Sequence, residues 1–296
     1  MLYGVETTVR KKKTRELLNV VTEIKHPWER VHLVPGRKAN PWLALSEMLW
    51  MMAGRNDVKC LSRFNKRIED FSDDGETFYG AYGYRIRDQI EPLIQRLRND
   101  PFDRRAVLSI WRPEDLTAET RDAPCNDMVI FKLRPFPPPK LQLHMTVINR
   151  SNDLHWGLYA VNLYQFGFLQ EYIAARLGIY IGTQTHISNS LHIYLEGPGA
   201  KITERMLQEK DKPLPELPRI PPMIGLGKSY NQFVEDCNWV LEGLPYKGIQ
   251  FLEFARDFLF LHCSRKGMTA RDFERECRWG THYVDWCLAA EEFSKP

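Results

Sequence analysis

Long hydrophobic runs are missing from this 296-residue chain. The longest near its end, Phe258-Leu259-Phe260-Leu261, falls far short of the roughly 18 residues of a membrane span, so no membrane partner is expected. The N-terminus, MLYGVETTVRKKK, puts its charges after its apolar residues, which is not the order of a secretory leader; a cytoplasmic location is expected. There is little charge of one sign. Lys+Arg number 41 against 38 Asp+Glu, too even for a general nucleic-acid or membrane-surface binder. Of six cysteines none forms a CxxC pair, and a chain this long needs no disulfide staples. Cys263, Cys277 and Cys287 lie near His262 and His282 in a spacing that fits no common zinc pattern, so no metal is expected. Repeats and low-complexity tracts are also absent.

What is present is an ordinary globular composition, 43% apolar and 27% charged, long enough for one large domain or two small ones. Positive charge collects at the front. Residues 1–40 carry nine Lys/Arg and four Asp/Glu, dominated by Arg10-Lys11-Lys12-Lys13. They read as a solvated surface or as a mobile basic arm that approaches an anion. Asn40–Ala53 predicts a helix with Pro41 in its first turn, an apolar face of Leu45, Met48, Leu49 and Met52, Glu47 set among them, and Gly54 as its stop. A second helix is expected over Asp57–Phe71. Strands are expected at 106–111, 128–133, 141–147 and 183–194, with the stiff Pro135–Pro139 connection between the second and third. Leu163–Leu177 predicts a buried helix closed by Gly178. Pro213–Pro222 reads as an extended linker, followed by helices over 229–244, 248–262 and 269–292. The order gives an α/β (α+β) body with appended helices. Trp42, Trp50 and Trp156 fall on apolar helix or turn positions and read as core rather than as platforms for nucleic-acid bases.

Cys125 stands in Ala-Pro-Cys-Asn just before a strand. A lone cysteine is usually inert core. Here Arg104-Arg105 precede it, and Arg150-Ser151-Asn152-Asp153 follow the next strand. A nearby guanidinium favours thiolate over thiol, and arginines with a serine hydroxyl suit a phosphate.

These pieces, with Glu47-Met-Leu-Trp50, Tyr82-Gly83, Asn162 and His192-Ile193-Tyr194, stand in the order found in the thymidylate synthase family, which includes the pyrimidine nucleotide hydroxymethylases. The chain resembles that family from about residue 40 to 200 and back to Arg10. The resemblance implies a mixed twisted sheet packed with helices, a catalytic core over 1–222 with its basic arm, and a helical extension over 223–296. It implies that Cys125 adds to C6 of a pyrimidine nucleoside monophosphate. Arg10, Arg150 and Ser151 match phosphate ligands. Arg104 and Arg105 match arginines that reach the phosphate in the other subunit of a homodimer with shared sites. His192 and Tyr194 match the pair on the sugar 3′-hydroxyl; two apart on a strand, they share a face. Asn162 matches the reader of the base, and an amide suits uracil. Asp153–Asn162 is one residue longer than in typical synthases. Glu47 matches the carboxylate that handles protons at the base, with a raised pKa expected. Tyr82 matches the tyrosine implicated at the C5 proton, while Asp153, Trp50 and Glu69 fall on the folate side. The implied co-substrate is 5,10-methylenetetrahydrofolate.

Departures from the synthase pattern bear on the product. Glu69 replaces a tryptophan and would order water near the folate; Asn126 stands where synthases carry His and Ser190 where they carry Asp; the end, Glu-Glu-Phe-Ser-Lys-Pro, lacks their short apolar tail. They favour a phage-type hydroxymethylase that lets water attack an exocyclic methylene, and Asn162 favours deoxyuridylate as substrate. The alternatives are a divergent thymidylate synthase, a cytidylate hydroxymethylase and a non-catalytic nucleotide-binding relative.

Overall fold

Alternating burial organises the middle of the chain into strands. The structure, a computed structural model, describes residues 3–31, 33–213, 228–264, 268–276 and 283–294. Strands β1 (Val5–Val9) and β2 (Lys12–Ile24) pair as a hairpin. With β3 (Val107–Ser109), β4 (Asn126–Pro135), β5 (Leu141–Asn149), β6 (Asn152–Asp153) and β7 (Tyr180–Tyr194) they make one sheet of order β1-β2-β7-β5-β4-β3, with β6 beside β7. β7 runs parallel to β5 and β6; the other pairs are antiparallel.

Helix α1 (Pro41–Met52) begins at Asn40, whose side chain accepts from Leu43 N–H at 3.1 Å. It is buried on every side except at Glu47, the pattern of a central helix rather than a surface one. α2 (Val58–Ser62) and α3 (Tyr82–Asn99) follow. A Cβ on Gly83 would stand 1.9 Å from Met51 O, so glycine alone lets the start of α3 meet the end of α1. α4 (Leu163–Leu177) packs behind the sheet and is closed by Gly178 at φ +69°, where a side chain would be strained. α5 (Gly197–Gln208) lies against β7. Between α4 and the sheet the core changes character along the strands. Val129, Phe131, Met145 and Val147 are apolar, but the end nearest Cys125 holds buried Asn126, Asn149, Asn152 and Ser188.

α6 (Tyr230–Leu241), α7 (Gln250–Phe260) and α9 (Val284–Ser294) include residues that share one apolar cluster with α1 and α4, and α8 (Ala270–Glu276) lies against α9. Trp42 stacks on Phe258 at 5.4 Å, Tyr172 on Phe233 at 4.6 Å, and the Tyr230 hydroxyl donates to Met52 O. Among the described residues no helix is long and apolar enough to cross a membrane.

Three expectations change. Residues 1–40 hold a strand pair rather than a loose arm: Arg10 and Lys11 adopt left-handed φ (48° and 64°) at the hairpin tip, and β2 pairs along β7. Residues 57–71 are not one helix, because Asp57 caps α2 and Asn65 caps a separate 3₁₀ turn, Lys66–Phe71. Among the described residues, 269–292 hold two helices, α8 and α9, with Tyr283 a bend before the second. Residues 214–222 of the expected linker, the boundary drawn at 222, Cys277 and His282 lie outside the described residues, as does the Cys263 side chain.

Candidate active site

The polar end of the core opens into a cavity of about 400 Å³ lined by Cys125, Glu47, Trp50, Tyr82, Asn162, Arg10, Arg150, Ser151, Asp153, His192 and Tyr194. Residues read from seven separate stretches of sequence thus meet in one place. His192 and Tyr194 project from the same face of β7, their rings edge to face at 5.5 Å. Arg10 reaches the cavity from the hairpin tip and donates to Arg121 O at 3.1 Å. Arg150 lies over Trp111 and donates to Pro124 O at 2.9 Å and Ala123 O at 3.1 Å. It therefore holds the turn that presents Cys125.

The thiol differs from expectation in one respect. Arg150 does pull its pKa down, but burial outweighs it and Asp122 opposes it, so the thiol is pushed up rather than down. Glu47 follows the expected direction. Burial and the neighbouring Asp122 raise it from 4.5 to about 8 against a hydrogen bond from Gln165, and its Oε2 is buried without a hydrogen-bond partner. Tyr82 is held well above its ordinary value by burial and by Cys125, Asp122 and Glu47; its oxygen accepts from the Cys125 N–H.

Asn162 closes a π-helix, Leu154–Asn162, that leads directly into α4. A π turn takes an extra residue over an α turn, so this segment is one that can take up an added residue. Asp153 caps it, one carboxylate oxygen accepting from His155 N–H at 2.7 Å and Trp156 N–H at 3.0 Å. Arg37 Nε satisfies His155 O at 3.1 Å. The Asn162 amide donates to Asn152 Oδ1 at 3.1 Å and accepts from Asn126 Nδ2 at 3.4 Å; Asn152 in turn donates to Ser188 Oγ at 3.0 Å.

Three predicted residues stand outside this cavity. Glu69 is exposed, because in a 3₁₀ turn residues three apart share a face and it is Ile68, buried, and Phe71, partly exposed, that line the cavity. Arg104 and Arg105 lie exposed beyond the cavity lining, with Arg105 oriented by Asp103 at 3.0 and 3.1 Å. Asp122 and Trp156 are among the lining residues that sequence reasoning did not place here. Asp122, three positions before Cys125, accepts from Gly80 N–H at 2.7 Å, and burial lifts it to about 6. A carboxylate so close to a nucleophile was the available signal. Trp156, read as core, is 40% exposed on the cavity wall. Among the described residues no cluster of three or more His, Cys, Asp or Glu is placed to hold a metal.

With Ile68, Phe71, Phe78 and Val161, Trp156 forms an apolar flank beside the free oxygen of Asp153. A flat heteroaromatic ring with one polar edge, such as the pterin of a folate, fits that surface.

Comparison with known proteins agrees with this architecture. The thymidylate synthase family profile matches residues 3–224. A deoxyuridylate hydroxymethyltransferase of Bacillus phage SP01 is 39% identical over 212 residues, 66% of this chain and 54% of that protein. One of Pseudomonas phage M6 is 43% identical over 183 residues, 60% of this chain and 51% of that protein. The chain thus spans about half the length of these two relatives. A putative thymidylate synthase of Methanothermobacter marburgensis is 31% identical over 189 residues, 61% of this chain and 78% of that protein. In fold, the thermostable thymidylate synthase A of Bacillus subtilis superposes with a TM-score of 0.59 at 22% identity, over 76% of this chain and 80% of that one. The chain belongs to the thymidylate synthase family.

Proposed function

We propose that this chain hydroxymethylates C5 of a pyrimidine nucleoside monophosphate, dUMP in particular, with 5,10-methylenetetrahydrofolate as co-substrate. The observation that carries the reading is the pair of enclosed carboxylates beside Cys125. Glu47 at about 8 keeps its proton at neutral pH, whereas Asp122 at about 6 has lost its own. Two neighbouring acids driven apart in this way supply one donor and one acceptor of protons. Water attack on a carbon needs the acceptor; hydride delivery in a dry site does not. The polar group that favours water here is Asp122, since Glu69 lies outside. The names carried by the two phage relatives support the same product.

Arg10, Arg150 and Ser151 hold the phosphate, and His192 with Tyr194 the sugar. The Cys125 thiol gives its proton to water in the cavity, its sulfur bonds to C6, and the electron pair of the C5–C6 double bond passes through C5 to O4 as an enolate. Bound methylenetetrahydrofolate, seated between Trp156 and Asp153 near Trp50, supplies the one-carbon electrophile. Glu47 donates toward O4. Tyr82, a neutral phenol, orients the water that takes the C5 proton. C5 bonds to that one-carbon unit, and once the C5 proton has left, the electron pair expels tetrahydrofolate by cleavage of the carbon–nitrogen bond, leaving an exocyclic methylene. Asp122 then takes a proton from a water whose oxygen bonds to the methylene carbon. The electron pair returns to the enolate and then expels the Cys125 thiolate, re-forming the C5–C6 double bond. Arg104 and Arg105 act on the phosphate of a second copy. Leu18 and Val21, 63% and 64% exposed on β2, offer apolar side chains to such a partner.

The test is the product. Incubation with dUMP and methylenetetrahydrofolate yields a nucleotide heavier by CH2O, with tetrahydrofolate left over. A gain of CH2 with stoichiometric dihydrofolate assigns a synthase instead. Efficient turnover of dCMP rather than dUMP assigns the cytidylate reaction.

A further inference from the structure

Behind the cavity wall the side-chain amides form a single file. Ser188 accepts from Asn152, Asn152 accepts from Asn162, and Asn162 accepts from Asn126, at 3.0, 3.1 and 3.4 Å. All four residues are buried. Asn152 and Asn162 line the cavity; Asn126 and Ser188 do not. Gly157 of the π-helix seals the file from the side: a Cβ there would stand 2.5 Å from Asn152 Oδ1 and 3.4 Å from Asn162 Nδ2.

An amide has two N–H donors and two acceptor lone pairs. Each end of Asn162 therefore has one position occupied inside the file and one left over. What remains for a ligand is one donor on the Asn152 side and one acceptor on the Asn126 side. Uracil offers an acceptor at O4 next to a donor at N3–H. Cytosine offers the same edge in reverse, a donor at N4 next to an acceptor at N3. A half-turn of the Asn162 amide exchanges the two. In the file that half-turn sets N–H against N–H at Asn126 and oxygen against oxygen at Asn152. It is blocked unless all three amides reverse together.

We propose that Asn126 and Asn152 are positioning residues that hold the Asn162 amide in one sense and so make the site read uracil rather than cytosine. This rests on the reading above, that Asn162 meets the base. The terminal Ser188 hydroxyl gives or takes a hydrogen bond equally well, and the outer oxygen of Asn126 is buried with no partner. The sense of the file is therefore kept cooperatively, and a group fixed in role at either end can impose it.

The experiment measures dUMP and dCMP binding to the whole chain by equilibrium dialysis, and uses their affinity ratio, which a general loss of folded protein does not move. Asn126→Asp places an acceptor-only carboxylate where Asn162 now finds a donor. It turns the Asn162 N–H toward residue 126 and lowers the dUMP/dCMP ratio by about tenfold or more, the effect of one hydrogen bond. Asn152→Asp, the same change at the other side, pins the present sense and keeps or raises the ratio. Ratios moving in the same direction overturn the proposal. The neutral double variant Asn126→Ala/Asn152→Ala releases both ends, so its ratio falls toward parity; an unchanged ratio overturns the proposal even where an aspartate variant does not fold. Asn162→Ala separates the two levels of the argument. A wild-type ratio in that variant shows that the base is read elsewhere and removes the underlying reading. A lost ratio there with unmoved ratios in the double variant rejects the file alone.

Discussion

Replacing Glu47 by Gln should make the protein more stable and inactive at once, and the gain should depend on pH in one direction only. An ordinary glutamate titrates at 4.5; Glu47 in the folded chain titrates at about 8. Below 4.5 both folded and unfolded chains hold the proton, and nothing is lost. Between the two values the unfolded chain releases it while the folded chain must keep it. Stability then falls by about 1.4 kcal/mol for each unit of rising pH. The loss reaches about 3 kcal/mol at pH 7 and about 5 kcal/mol above pH 8, where both forms are ionised. Glutamine has the same shape and no proton to release. Urea unfolding at pH 5, 6, 7 and 8 should show the variant pulling ahead as pH rises. Part of the gain should vanish when the substitution is made with Asp122→Asn, since Asp122 contributes to the shift. A stability difference that is flat in pH, or that widens toward acid, refutes the reasoning.

Asp122→Asn should separate two steps. Tritium release from C5-labelled dUMP, which precedes water attack, persists while hydroxymethyl product falls by about 10²-fold or more, the ordinary size of a general-base effect; equal losses in both assays remove Asp122 from the hydration step. In the wild type, product formation should rise as pH passes about 6, where Asp122 ionises, and fall above about 8, where Glu47 loses its proton. Asp122→Asn should erase the acidic limb and, by removing its charge from beside Glu47, move the basic limb to lower pH; an acidic limb that survives belongs to another group. Mixing inactive Arg105→Ala with inactive Cys125→Ala chains should restore part of the activity through hybrid sites; no recovery after subunit exchange places Arg105 outside the neighbouring site.

Much of the scaffold could be read from the chain because its signals were local. The apolar stretch at 163–177 with glycine after it is α4 to the residue, and Asn40-Pro41 marks the start of α1. The hairpin was hidden. Leu17-Leu18 and Val20-Val21 come in pairs that break the alternation of a strand, and the lysines beside them resemble solvated surface. In the site, residues carried by motifs converge on the cavity. Those defined only by folding were missed: Asp122 matters because the turn held by Arg150 brings it beside Cys125, and Trp156 because the π-helix turns it outward from the core. Glu69 is the opposite case: its position in sequence matches a folate-side residue, while its short turn leaves it exposed and outside the cavity lining.

Adding a residue to an α-helix rotates everything beyond it by about 100°. Downstream of Asn162 that rotation would carry Glu171 away from Arg30, its buried ion-pair partner, and swing the aromatic side of α4 off α6. The wider turns of the π-helix Leu154–Asn162 can absorb such an offset, leaving α4 in phase with the sheet. The segment behaves as a vernier between pocket and scaffold: changes of chain length at this point can redraw the wall that faces the base while the framework behind it stays in register.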